Sequence, residues 1–194
     1  SAWMSLLAAS AAFALFAAYR LDLPLILWFL LVTSVSVARI RLHKRFELSR
    51  SANQVVEPWL REHQLTGVLS GASWGLLVLH PVESMPVAFG LLTLLVPAIV
   101  ATAAISAYAV ELRHYLHFLI AMVSVILVSQ AVVLGLQAWP TFVLYSVLAT
   151  LLYLTASRYH RNLVEAIAAK EEAIESAKEL ERAHRELAEQ HDLI

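Results

Sequence analysis

Residues 141–194 read TFVLYSVLATLLYLTASRYHRNLVEAIAAKEEAIESAKELERAHRELAEQHDLI. Thr141–Ser157 carries no charge and suits the inside of a bilayer. From Arg158 the composition turns to Ala, Glu, Lys, Leu and Arg, without Gly or Pro. No helix-stopping residue separates the halves, so the pattern predicts one helix that leaves a membrane and continues in water. Five more apolar runs precede it: Ala2–Tyr19, Leu23–Ala38, Leu65–Leu79, Val87–Val110 and Tyr115–Ala138.

Sixty per cent of the chain is hydrophobic and fifteen per cent charged. A soluble domain of this length would leave too much apolar surface in water, so lipid is the expected solvent. A crossing needs roughly 20 helical residues. The fourth and fifth runs meet that; the second and third need flanking residues such as Leu21 or Leu60. The first lacks a basic leader and runs almost directly into the second, so it reads as a span rather than a signal peptide. The expectation is an all-α polytopic membrane protein with six transmembrane helices over residues 1–157, including a cytoplasmic loop over 39–64. A cytoplasmic coiled-coil helix follows over 158–194.

The net charge of −1 conceals an asymmetry. Arg20 alone falls on one side of the membrane. Arg39, Arg41, Lys44, Arg45, Arg50, Arg61, Arg113, Arg158 and Arg161 fall on the other. The positive-inside rule makes the second side cytoplasmic and places both termini there, which suits a bacterial inner membrane. The opposite connections, Arg20–Asp22, His80–Pro86 and Gln137–Pro140, are too short to fold into a ligand-binding domain. A signal would enter through the bilayer, between helices, or from the cytoplasm. The expected partners are therefore the lipid bilayer, a small hydrophobic ligand or another membrane protein, and a second copy of the chain; no nucleic acid is expected. Val55, Val56, Trp59 and Leu60 have the spacing of an interfacial helix leading into span three.

Gly67, Gly71 and Gly75 recur every four residues, with Ser70 and Ser73 between them. Such a stripe lets two helix backbones approach closely, within one chain or between protomers. Trp74 beside it could border a ligand pocket. Pro97 falls inside the fourth run and predicts a kink, static or hinged. Ser129, Gln130, Tyr145 and Tyr153 are polar groups within spans, suited to interhelical hydrogen bonds or to the lining of a pocket.

The tail carries a seven-residue repeat. Ala166, Ala173, Leu180, Leu187 and Ile194 share one core position; Leu163, Lys170, Ala177, His184 and His191 share the other. A parallel, weak coiled-coil dimer is expected, its seam loosened by alanine, lysine and histidine. A solvated single helix is the alternative. The repeat halts at Asp192-Leu193-Ile194 in mid-heptad, so a cytoplasmic output domain is expected to follow.

There are no cysteines, which excludes disulfides and thiolate sites. No Asp, Glu, Lys or Arg lies deep in a run, which argues against ion-coupled transporters, pumps and voltage sensors. No phosphate-binding glycine loop, nucleophile elbow or HExxH is present, so no catalytic residue is assigned. His114 and His117 stand near Glu111 at one end of span five, on one helix face, with a spacing that could ligate haem or a metal. A third ligand is missing from the pattern, and interfacial histidines bonded to water or headgroups are expected instead.

The stretch Leu69-Ser70-Gly71-Ala72-Ser73-Trp74-Gly75-Leu76 after a basic loop, with the tail Leu180-Glu181-Arg182-Ala183-His184-Arg185-Glu186-Leu187, resembles the N-terminal membrane regions of bacterial signalling proteins. In those proteins five to seven spans precede a helical linker and a diguanylate cyclase or histidine kinase domain. The resemblance implies a sensory and dimerisation input module, most similar to that of a cyclase making cyclic di-GMP, with a sensor histidine kinase as the alternative. It implies GTP or ATP with Mg only for the absent output domain. Neither the GGDEF signature nor a phospho-accepting histidine box occurs here. A small transporter or a haem or metal membrane protein is the more distant alternative.

Overall fold

The computed structural model describes residues 2–50, 57–79, 86–108 and 111–191. Among them there is no strand. Six helices form a bundle: α1 (Ala2–Tyr19), α2 (Leu23–Arg50), α3 (Glu57–Gly75), α4 (Val87–Tyr108), α5 (Leu112–Leu134) and α6 (Trp139–His191). Short 3₁₀ turns, Leu76–Leu79 and Gly135–Ala138, extend α3 and join α5 to α6.

Helix limits follow local chemistry. Asp22 starts α2 by accepting the Leu25 N–H on Oδ1 at 3.1 Å, an N-cap that fills one of the donors left open at a helix start. Pro24, Pro58 and Pro140 lie in first turns, and Pro86 directly precedes α4, where a missing N–H does no damage. Gly135 ends α5 at φ +56°, a conformation that side chains with a Cβ rarely adopt.

The alternation of the helices is read from their contacts. Near one end Ser5 of α1 meets Ser36 of α2, Phe46 of α2 meets Trp59 of α3, and His63 of α3 meets Tyr108 and His114. At the other end Phe16 and Tyr19 of α1 pack on Phe89 of α4. Consecutive helices therefore run in opposite directions. Arg39, Arg61 and Arg113 gather at the first end and Arg20 at the second.

Exposed faces are apolar: Leu27 and Leu31 on α2, Leu91, Leu95 and Ile99 on α4, Val128 and Val132 on α5, and Leu144, Val147 and Leu151 on α6. Ser36, Ser70, Ser73, Thr93, Ser129 and Gln130 are buried instead. This inversion of a soluble protein's pattern is what a hydrocarbon solvent selects. Three helical stretches are long and apolar enough to cross a membrane: Leu23–Leu48, Phe89–Tyr108 and Leu112–Arg185, the last taking in both α5 and α6. Trp3–Tyr19 is a shorter apolar helix. Helix α3 is not among them, because its first turns, Glu57–Gln64, are polar. It is the central helix, walled by α2 and α5, and its small and polar residues face protein.

Its tightest contact is with α5, which runs parallel to it. A Cβ at Gly71 would fall on the Phe118 carbonyl oxygen, and one at Gly75 would stand 2.7 Å from the Met122 oxygen and 2.9 Å from Val125 Cβ. At Gly67 the nearest atom, on Tyr108, is 3.8 Å away. Two of the three glycines thus seat a backbone of the same chain. Trp74, fully buried, donates to Ser5 Oγ at 3.2 Å, while Trp28 donates to the Ser73 carbonyl at 2.9 Å. The two indoles meet edge to face at 5.5 Å and tie α1, α2 and α3 together.

Pro97 interrupts the ladder of α4. Tyr145 of α6 donates to the Leu94 carbonyl in the turn that the proline opens, at 2.7 Å, while Thr93 bonds its own helix at Gly90.

One expectation is modified. Arg39–Arg50 is no loop but the last three turns of α2, since nothing in RIRLHKRFELSR breaks a helix. Trp59 packs on Phe46 at 6.2 Å; Val55 and Val56 fall outside the described residues.

The glycine geometry predicts an ordered series. Gly71→Ala and Gly75→Ala should each destabilise by about 1–3 kcal/mol or more, because a backbone carbonyl cannot rotate away. Gly67→Ala should be neutral. Thermal unfolding in detergent checks this; equal effects at all three positions would contradict it.

Candidate functional site

Polar side chains from four helices, α2 to α5, converge at the basic end of the bundle. Tyr108 closes α4, and Glu111 precedes α5 as its N-cap residue. The Glu111 side chain makes no capping bond. Its carboxylate turns instead to His114, Oε2 lying 2.7 Å from Nδ1. This bond assigns the shared proton to Nδ1 and leaves Nε2 as the free position of the ring. His114 is 3% exposed, and Nε2 has no hydrogen-bond partner.

His63 of α3 stands against that ring, centroids 5.1 Å apart and nearly perpendicular. Burial lowers its pKa to about 4, helped by the neighbouring charges of Arg39, His114 and His43. It is neutral at pH 7.

Arg39 of α2 is 8% exposed, and its Cζ lies 4.6 Å from the Tyr108 ring centroid. Such a cation–π contact contributes about 0.5–2 kcal/mol. The Tyr108 hydroxyl lies by Ser70 and Arg39 without a well-formed hydrogen bond to either, and Arg39 Nε is also buried without a partner. One end of the bundle therefore collects three buried polar atoms with unused hydrogen-bonding capacity: Arg39 Nε, Tyr108 Oη and His114 Nε2. Native interiors leave few such atoms, and each calls for a ligand, a water or a proton.

Beside this cluster a cleft of about 280 Å³ opens between α1, α2 and α3, with Trp3, Arg39, His43, Lys44, Glu47 and His63 in its wall. His43 and Glu47, one turn apart on α2, lie 3.3 Å apart in its wall. Two further clefts, of about 430 and 230 Å³, lie along Arg61, Leu65 and His117, and between Trp28, Leu31 and Leu77.

Of the residues expected from the sequence to line a pocket, two come together. Trp74 is filled in by Trp28 and Ser5. Pro97 and Tyr145 do share one place, at the Leu94 carbonyl. Ser129 and Gln130 are buried further along α5, and Tyr153 is 40% exposed on α6. None of the six borders the 280 or 430 Å³ clefts. His114 and His117 also part company: the first faces His63, while the second is exposed beside Arg61 and Glu62. Among the described residues no three His, Asp or Glu side chains are grouped to hold a metal ion.

Arg39, Tyr108 and the His63–His114 contact escape a reading of the sequence. Arg39 and Tyr108 are recognisable only as the same-side ends of two runs, a signal that gives depth in the membrane but not proximity. No family model, curated protein or solved structure matches this chain.

The His63 environment has a pH consequence. The unfolded imidazole takes up its proton near pH 6.5, the folded one only near pH 4. The unfolded state therefore binds more protons between those values, and stability should fall as pH drops from 6.5 towards 4. Melting in detergent at pH 7 and pH 4.5 should show the loss, and His63→Gln should reduce it. An unchanged slope in the variant would rule out His63 as the cause.

Proposed function

We propose that this chain is the sensory and dimerisation input of a bacterial signal-transduction enzyme. It crosses the inner membrane six times with both termini in the cytoplasm. The diguanylate cyclase reading is preferred and the histidine kinase reading is its alternative. The observation that supports a signalling role is the 53-residue helix α6, unbroken from Trp139 to His191. At 1.5 Å per residue it is about 80 Å long, far more than a bilayer's hydrocarbon core. Among the described side chains Leu152 and Ala156 are its last buried ones; from Val164 to Arg185 every side chain is exposed. A rigid rod gripped at one end and free at the other transmits rotation or translation without loss at a joint.

Charge supports the orientation, since the crowded basic end is the one retained in the cytoplasm. The free stretch also supports pairing. Ala166, Ala173, Ala177 and Leu180 are all exposed, and Ile167 and Ile174, one position beyond the alanines, widen the apolar stripe. Isoleucine beside alanine gives a coil more burial than the alanine seam alone would provide. Ile194 and the side chain of Leu187 lie outside the described residues.

Cysteine placed at Ala177 should form an interchain disulfide in membranes under mild oxidation and react with impermeant maleimide only after the cytoplasmic face is opened. Labelling from the periplasm, or no cross-link at Ala177 and Leu180 alike, would refute the arrangement.

In the full-length protein, two glycines inserted between Ser157 and Arg158 should leave membrane insertion intact and abolish regulation of cyclic di-GMP synthesis or autophosphorylation. Regulation that survives the insertion would exclude transmission through α6.

A further inference from the structure

The cleft at the basic end has a charge arrangement not used so far. His43 Nε2 engages the one carboxylate of the wall, Glu47, at 3.3 Å, and His63 is uncharged at pH 7. Arg39 and Lys44 remain, two cations with no ion pair among the described residues, in the wall of one cleft. Lys44 is exposed and Arg39 is not. Arg39, 8% exposed as a residue and with a buried Nε that bonds nothing, lacks the partner that would offset its removal from water. An aromatic face on one side does not replace a counter-anion. The missing group is an anion with several acceptor oxygens, able to take Arg39 and Lys44 together.

The position of the cleft specifies the anion further. It lies at the end of the bundle where apolar runs give way to charge, the level of the headgroups in the membrane reading. Trp3, 63% exposed, stands at its rim, and the outward surface of α1 below it is apolar through Met4 and Leu7. At about 280 Å³ the cleft is at the small end of ligand sites, large enough for a headgroup but not for a whole lipid. We infer that it is a binding site for the phosphate of an anionic glycerophospholipid, with Arg39 and Lys44 holding the phosphate and the acyl chains lying along α1. The inference rests on the membrane part of the proposed function and not on its signalling part.

The test uses the whole chain in detergent, titrated with phosphatidylglycerol or phosphatidylcholine and followed by native mass spectrometry. Phosphatidylglycerol should bind in preference. Lys44→Gln and Arg39→Gln should each weaken it about fivefold, and Arg41→Gln and Arg45→Gln, on the exposed face of the same helix, by less than about twofold. Lys44 is exposed, so its variant remains informative if Arg39→Gln fails to fold. Equal losses in all four variants would overturn the site in favour of diffuse surface charge. So would an absence of preference between the two lipids. Inorganic phosphate that binds with the same residue dependence, and displaces phosphatidylglycerol at equal concentration, would overturn the lipid in favour of a soluble anion. Extraction of the chain from membranes by alkaline carbonate would instead refute the membrane reading, and the lipid titration is indifferent to the output domain.

Discussion

The contact between α3 and α5 at Gly71 and Gly75 is the constraint on which the bundle depends. In hydrocarbon, burying an apolar side chain gains little, because lipid tails offer equivalent surroundings. What holds helices together there is close packing and the pairing of polar groups. Gly71 and Gly75 supply the packing by letting the Phe118 and Met122 carbonyls approach where a methyl group would stand. With α5 seated, an adjoining face of α3 carries Trp74 into the α1–α2 pair, where the indole finds Ser5. The Tyr115 hydroxyl of α5 reaches the Ala101 carbonyl at 3.2 Å and adds α4, as Tyr145 adds α6. A glycine stripe spent on contact within the chain leaves pairing between protomers, in the proposed function, to α6.

The same alignment makes the polar end. Because α3 and α5 run parallel from the Gly71–Phe118 contact, His63 and His114 near their starts are brought together. Tyr108, two turns along α4 from Ala101, arrives over Arg39. The site is thus a by-product of packing geometry set about 6–12 Å deeper, at about 1.5 Å per residue. Its residues are two imidazoles, a phenol and one buried cation.

Helix α6 joins two environments that pull its sequence in opposite directions. Up to Ala156 its apolar side chains match lipid and the α4 and α5 faces. Beyond Val164 its charges match water, and the apolar stripe that runs through them is exposed as far as Arg185. A helix this long without tertiary support owes its continuity to local propensity, which Ala, Glu, Lys, Leu and Arg maximise. Its stripe would gain from a second copy, and the proposed dimer is the arrangement that uses it.

Much was determined by the sequence alone. Apolar runs and helix propensity make every described element a helix, and local chemistry limits them: Asp22 caps α2, Pro86 precedes α4, Gly135 ends α5. Charge spacing sorted the ends of the runs into two sides, and the Gly67–Gly75 period announced a close approach. Those are short-range or periodic properties, legible in one dimension. The partner of the glycine stripe, the quenching of Trp74 by Trp28 and Ser5, and the outward turn of His117 away from His114 were decided by the tertiary structure. So was the meeting of Arg39, His63, Tyr108 and His114, each from a different helix. Composition reports how deep a residue lies in a bilayer, while rotation about each helix axis, and hence which side chains touch, is set by packing alone.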